Sequence, residues 1–108
     1  MGIDVRTRRP RIATTFGGLS GPAIKPIALR MVYQVAREQL GVPICGMGGI
    51  RTAEDVIEFL IAGASCVQVG TLNFADPDRA ASLVDEVAEL AAELGVARIA
   101  DLIGTLET

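Results

Sequence analysis

The residues of this chain best suited to do chemistry are glycines at the ends of two apolar runs. Gly46-Met47-Gly48-Gly49-Ile50 closes one run, and Val69-Gly70-Thr71 closes the next. Without a Cβ, a glycine lets a ligand approach the backbone closely. An amide N–H at the start of a following helix favours an anion. The Thr71 hydroxyl adds a further donor. Either motif alone is equally an ordinary turn. Two of them, one strand–helix unit apart, point to a shared phosphate cup formed by Gly48, Gly49, Gly70 and Thr71. A third motif, Gly17-Gly18-Leu19-Ser20-Gly21-Pro22-Ala23, leads into a helix. It reads either as a flexible connection or as a loop at the rim of the same site, where Ser20 and Gly21 could touch a planar ligand.

Other chemistries find no residues. The chain has no His, so a Ser/His/Asp set cannot be assembled. Cys45 and Cys66 have no metal-ligand spacing and sit in apolar runs, so they are expected to pack in core strands. Asp76 and Asp78 read as helix-start residues and not as a metal pair. Lys25 could meet a phosphate, but its place on the polar face of a helix favours solvent. Asp85, Glu86, Glu89 and Glu93 form a solvated helix face.

The elements that must position these motifs follow from periodicity. Ile24, Ile27, Ala28, Met31, Val32, Val35, Ala36 and Leu40 recur at helical spacing, which predicts a helix over 23–40 ending at Gly41. Pro26 falls in its first turn, where a missing N–H costs little. Residues 42–47 and 65–70 are short apolar runs and are expected to be strands buried on both faces. Between them, Thr52 is placed to N-cap a helix through Val56, Ile57, Leu60 and Ile61, with Asp55 three residues on and Gly63 as the stop. A long amphipathic helix starting near Asp76 or Asp78 carries Leu83, Val84, Val87, Leu90, Ala91 and Leu94 on one stripe and ends at Gly95. Ile99, Leu102 and Ile103 suggest a last short helix. Residues 1–22 look irregular, with a short strand expected at Arg11–Thr14. Alternating helices and doubly buried strands imply an α/β fold of parallel units. Two parallel strands cannot cover four helices, so these are expected to be part of a larger sheet or barrel.

Bulk properties narrow the function classes. Half of the 108 residues are apolar and 4% are aromatic, which predicts an aliphatic core and argues against disorder. The net charge of −3 hides a polarity: residues 1–54 carry eight Lys/Arg and three acids, and residues 55–108 carry two Arg and ten acids. Arg6, Arg8, Arg9 and Arg11 crowd the start. With an acidic chain and no interleaved aromatics, they read as a solvated or partner-facing loop and not as a nucleic-acid site. No stretch of eighteen apolar residues is present to span a membrane. The Arg-rich start lacks the apolar segment of a signal peptide, and the unpaired cysteines fit a reducing, cytoplasmic location.

The Gly17–Pro26 motif, Gly46–Ile50, Ala62-Gly63-Ala64, Val69-Gly70-Thr71 and Asn73-Phe74 together resemble the C-terminal third of dihydroorotate dehydrogenases. The similarity is greatest to the class 1, NAD-linked catalytic subunit and runs from about Met1 to about Pro77. The resemblance implies the C-terminal part of a (β/α)8 TIM barrel, about two parallel βα units plus flanking helices. Residues 1–108 would then be an incomplete domain, the FMN-phosphate-binding segment. It implies FMN as cofactor, with Gly21 on the flavin, Gly48 and Gly49 gripping the phosphate through backbone N–H groups, Gly70 and Thr71 completing the cup, and Ser20 adjacent. In the family, dihydroorotate is oxidised to orotate, with hydride passing to the flavin and a proton to a cysteine base. In the NAD-linked class, a second subunit with FAD and an iron–sulfur cluster takes the electrons. The base lies on an upstream loop that has no counterpart among these residues, so no catalytic residue is assigned and the isolated chain is expected to be inactive. The alternative is a non-catalytic phosphate- or flavin-binding module that self-associates into a homo-oligomer through exposed strand edges.

Overall fold

A computed structural model describes all residues, 1–108. The chain opens with a two-stranded antiparallel hairpin, β1 (Ile3–Asp4) and β2 (Arg9–Pro10), in which Ile3 pairs with Pro10 and Asp4 with Arg9. The Asp4 carboxylate accepts from the amides of Arg6 and Thr7 and so stabilises the turn. The strand expected at Arg11–Thr14 is absent. Pairing falls two residues earlier because this side chain–backbone turn sets the register, a signal that apolar periodicity does not carry. The basic cluster stands on this hairpin, with Arg6, Arg8, Arg9 and Arg11 all exposed.

A 3-10 turn, Pro22–Ile24, feeds α1 (Lys25–Arg37). The helix stops earlier than the apolar pattern suggests. Glu38 and Gln39 close its last turn by donating to the carbonyls of Val35 and Ala36, and Gln39 takes the left-handed conformation (φ 49°) ahead of Gly41. Then come β3 (Cys45–Met47), α2 (Ala53–Ile61), β4 (Cys66–Gln68), a short α3 (Leu72–Ala75) that periodicity missed, and α4 (Arg79–Glu93). A 3-10 turn at Ile99–Leu102 takes the place of the last short helix. α2 and α4 end alike. After α2, the amides of Gly63 and Ala64 donate to Leu60 and Phe59; after α4, those of Gly95 and Val96 donate to Ala92 and Ala91. This double bond satisfies the carbonyls that a helix end leaves free.

β3 and β4 form a parallel pair in the register Cys45–Cys66, Gly46–Val67 and Met47–Gln68. Paired residues in register share a face of the sheet, and the two faces differ sharply. Gly46 and Val67 lie under α2: a Cβ on Gly46 would stand 2.7 Å from the Phe59 ring and 3.2 Å from Ala64. On the other face, Cys45, Met47, Cys66 and Gln68 are all exposed. The expectation of strands buried on both faces, with the two cysteines in the core, is therefore corrected. The runs are apolar enough for double burial, but within these residues only one face has helices against it.

The core lies on the helix side. Phe59 is fully buried, and Val32, Ile50, Val56, Leu60, Ala62 and Ala64 surround it. α2 is the central element, packed on α1, β4, α4 and the terminal 3-10 turn. Its inner side, apolar except for the buried Asp55 at its start, explains why the middle of the sequence reads most clearly as structure. Phe59→Ala is expected to destabilise the chain by about 3–5 kcal/mol, because it leaves a cavity at the only fully buried large side chain. Urea unfolding followed by circular dichroism measures this.

Candidate anion site at the ends of the parallel strands

Because β3 and β4 are parallel neighbours, their C-terminal ends emerge side by side. The loops leaving them, Gly48–Thr52 and Val69–Thr71, line one cleft of about 910 Å³ together with the Leu19–Pro22 segment. The structure thus brings Ser20, Gly21, Gly48, Gly49, Gly70 and Thr71 together around a single cleft. It adds residues that sequence reasoning did not place there: Met47 and Gln68 from the bare sheet face, and Arg51, Asp76 and Arg79 from the loops and α4. Charge spacing gave no signal for these, since their shared position depends on the parallel register.

The glycines have distinct reasons to be glycine. At Gly49 (φ 76°) a Cβ would stand 2.8 Å from the Gly21 carbonyl oxygen and 2.8 Å from the Lys25 backbone nitrogen. At Gly48 (φ 121°) it would stand 2.8 Å from the Ala28 Cβ. Both positions are therefore demanded by packing against the start of α1, whatever the cleft holds. Gly70 differs: nothing lies within 4 Å of where its Cβ would be. Its missing side chain leaves space in the cleft itself. Asn73 Nδ2 reaches back to the Val69 and Gly70 carbonyls at 2.9 and 3.1 Å and holds this turn in shape.

The helix start also differs from expectation. Thr52 does cap α2, accepting from the Asp55 amide at 3.2 Å. The Asp55 carboxylate accepts in return from the amides of Thr52 (3.0 Å) and Arg51 (2.8 Å). This is a capping box with one extra bond. The internal carboxylate thus takes the two amides just ahead of α2 and the Thr52 hydroxyl takes that of Asp55, while the amides of Ala53 and Glu54 in the first turn keep no acceptor in the chain. In the two loops leaving the strands, the amides of Gly48, Gly49, Ile50, Gly70 and Thr71 have no acceptor in the chain. They come from both strand ends.

Lys25 completes this arrangement and corrects a second expectation. Its Nζ is not in solvent but lies 2.5 Å from Asp55 Oδ1 and 2.7 Å from Glu58 Oε2. The side chains of Lys25 and Asp55 are 24% and 13% exposed, so the pair is largely shielded from screening. Hydrogen bonds to Asp55 and Glu58 raise the Lys25 pKa. Burial pushes Asp55 upward, but the bonds from Lys25, Arg51 and Thr52 outweigh it and hold the carboxyl below its ordinary value. Cys45 and Cys66 lie outside the cleft wall. The hydrogen bond of Cys45 to the adjacent Cys66 thiol raises the Cys45 pKa, the opposite of what a thiolate base requires.

The sequence matches the profile of the dihydroorotate dehydrogenase family over residues 1–91. It is 57% identical over 104 residues to the catalytic subunit of dihydroorotate dehydrogenase B (NAD(+)) from Shouchella clausii, covering 96% of this chain and 34% of that protein. It is 55% identical over 107 residues to a putative dihydroorotate dehydrogenase A (fumarate) from Solibacter usitatus, covering 99% and 35%. Among solved structures, it superposes on the Eimeria tenella enzyme crystallised with ferulenol at a TM-score of 0.77 and 31% identity, covering 88% of this chain and 26% of that one. The chain spans about a third of the length of the curated relatives it matches.

The Asp55 network sets a pH dependence. Because the folded pKa of Asp55 is lowered, its contribution is present above the unfolded value of 3.8 and is lost as pH falls through the folded value. The Lys25 contribution is present below 10.5 and is lost as pH rises through its raised value. Asp55→Asn is expected to cost about 1.5–3 kcal/mol at pH 7, the range for hydrogen bonds to a charged group. The difference from wild type should shrink as pH falls below 3.8. Urea midpoints of both proteins between pH 7 and pH 3 measure it.

Proposed function

The chain belongs to the dihydroorotate dehydrogenase family, and on that premise we propose that its cleft holds the phosphate end of FMN. The observation that carries the reading is the convergence of unpaired amides from two neighbouring strand ends on one cleft. Gly48 and Gly49 donate from one side, and Gly70 and Thr71 from the other. The donor set fits the group. A phosphomonoester presents several acceptor oxygens and no strong donor, and the cleft offers N–H and O–H donors with open space above Gly70. Ser20 and Gly21, on the loop in contact with Gly49, would meet the flavin beyond the phosphate.

The whole protein in which this segment works would oxidise dihydroorotate to orotate in pyrimidine biosynthesis, with FMN supplying the hydride acceptor. These residues would form the end of a (β/α)8 barrel, and the exposed face carrying Cys45, Met47, Cys66 and Gln68 would turn toward its interior. That assignment accounts for a sheet face that is bare here yet suited to burial. A partner subunit carrying FAD and an iron–sulfur cluster belongs to the NAD-linked case. The proton acceptor for the reaction would come from elsewhere in the whole protein, a reading supported by the lack of a thiol in the cleft lining.

Two outcomes are expected. The purified chain should take up FMN in preference to riboflavin, and Gly70→Val should abolish that uptake while leaving the unfolding midpoint nearly unchanged. Flavin fluorescence titration and urea unfolding check both. A Gly70→Val chain that binds FMN as well as wild type would place the phosphate elsewhere. The isolated chain should also fail to reduce flavin with dihydroorotate and should self-associate through its bare sheet and open strand edges. Absorbance at the flavin band and light-scattering mass measure this, and a catalytically active monomer would refute it.

A further inference from the structure

The cleft has one cation that no carboxylate neutralises. Resting on the FMN-phosphate reading above, we propose that Arg51 supplies the charge contact to the phosphate and makes the site selective for a dianionic phosphomonoester. Three cationic side chains stand on or beside the cleft. Lys25 is held by Asp55 and Glu58. Arg79 makes a two-pronged contact with Glu86, and Asp76 adds a second negative charge near it. Arg51 lines the cleft and its guanidinium forms no ion pair and no hydrogen bond within the chain. Only its backbone amide is engaged, by Asp55.

The need for this charge follows from the way α2 is capped. A helix start that faces a phosphate ordinarily contributes its own free N–H groups and dipole. Here the Asp55 carboxylate sits in the first turn of α2 and takes the amides of Arg51 and Thr52 just before it, so part of the positive helix end is already offset internally. Neutral amides from Gly48, Gly49, Gly70 and Thr71 remain, and they face a ligand group of charge about −1.5 to −2 at pH 7. Arg51 follows directly after Ile50 in the same loop. A planar guanidinium there can bond two phosphate oxygens at once.

The Arg51 side chain is exposed and its backbone role is independent of side-chain identity, so Arg51→Gln should fold normally. Titrations would use the wild-type chain and Arg51→Gln with FMN, riboflavin and inorganic phosphate, followed by 15N resonances of the Gly48, Gly49, Gly70 and Thr71 amides and of Arg51 Nε. The expected result is that FMN affinity falls about tenfold or more in Arg51→Gln while riboflavin binding is unchanged. The wild-type advantage should grow between pH 5 and pH 7 as the phosphate takes its second charge, and it should diminish with salt. Arg51→Lys should recover part of it. If FMN shifts the four amides but not Arg51 Nε, and both proteins bind it equally, Arg51 plays no part and the phosphate cup stands. If FMN and phosphate leave the amides unmoved in wild type, the cup itself is wrong and the Arg51 assignment falls with it.

Discussion

The Asp55 carboxylate receives hydrogen bonds from the backbone of Arg51 and Thr52 and from the side chain of Lys25, and the geometry of the cleft depends on it. Through the backbone bonds it fixes where α2 begins and what shape the preceding loop takes. Through Lys25 it ties that loop to the first residue of α1. The segment before α1 is held against the same loop, since Gly49 has no room for a side chain between Gly21 and Lys25. One part-buried anion thus aligns two of the three walls of the site. Its desolvation cost is offset by three donors, one of them a cation shielded with it, the condition under which a buried ion pair holds its geometry.

The same arrangement redistributes charge. A carboxylate placed inside a helix start takes up two amides beside it and offsets part of the positive helix end. The amides without an acceptor in the two facing loops belong to no helix or strand ladder and lie at the ends of β3 and β4. Their convergence is a property of parallel pairing. Parallel neighbours end on the same side, and two loops of similar length then face each other across a shared space. The third wall, from α3 and α4, joins because Asn73 folds the chain back over the Gly70 carbonyl.

The two faces of the small sheet show how the segment relates to its family. One face is packed by α2 through Phe59 and Ala64. The other presents Cys45, Met47, Cys66 and Gln68 with nothing against them. Chains of this family are about three times as long, and an apolar face of this kind is the place where further strands would bury surface. The local fold closes well on the helix side because α2 has apolar residues on nearly every side, so its packing with α1 and α4 needs no other part of a barrel.

Much of this was legible in the residues. The helical stripes of α1, α2 and α4, the Thr52–Asp55 cap, the two short strands and the glycines that follow them all lie in local spacing, because periodicity and capping are set by neighbours a few residues apart. The kinship of the chain also lies in contiguous motifs. The hairpin at Ile3–Pro10 was not legible, since it depends on Asp4 binding its own turn and not on apolar alternation. Tertiary structure alone decided the rest. It put Lys25 thirty residues from its partner Asp55 in sequence and 2.5 Å from it in space. It exposed the cysteines by leaving one sheet face uncovered. It also left Arg51 free while pairing Arg79. Each of these is a long-range contact, and sequence spacing carries no record of which distant side chain will arrive to neutralise a charge or cover a strand.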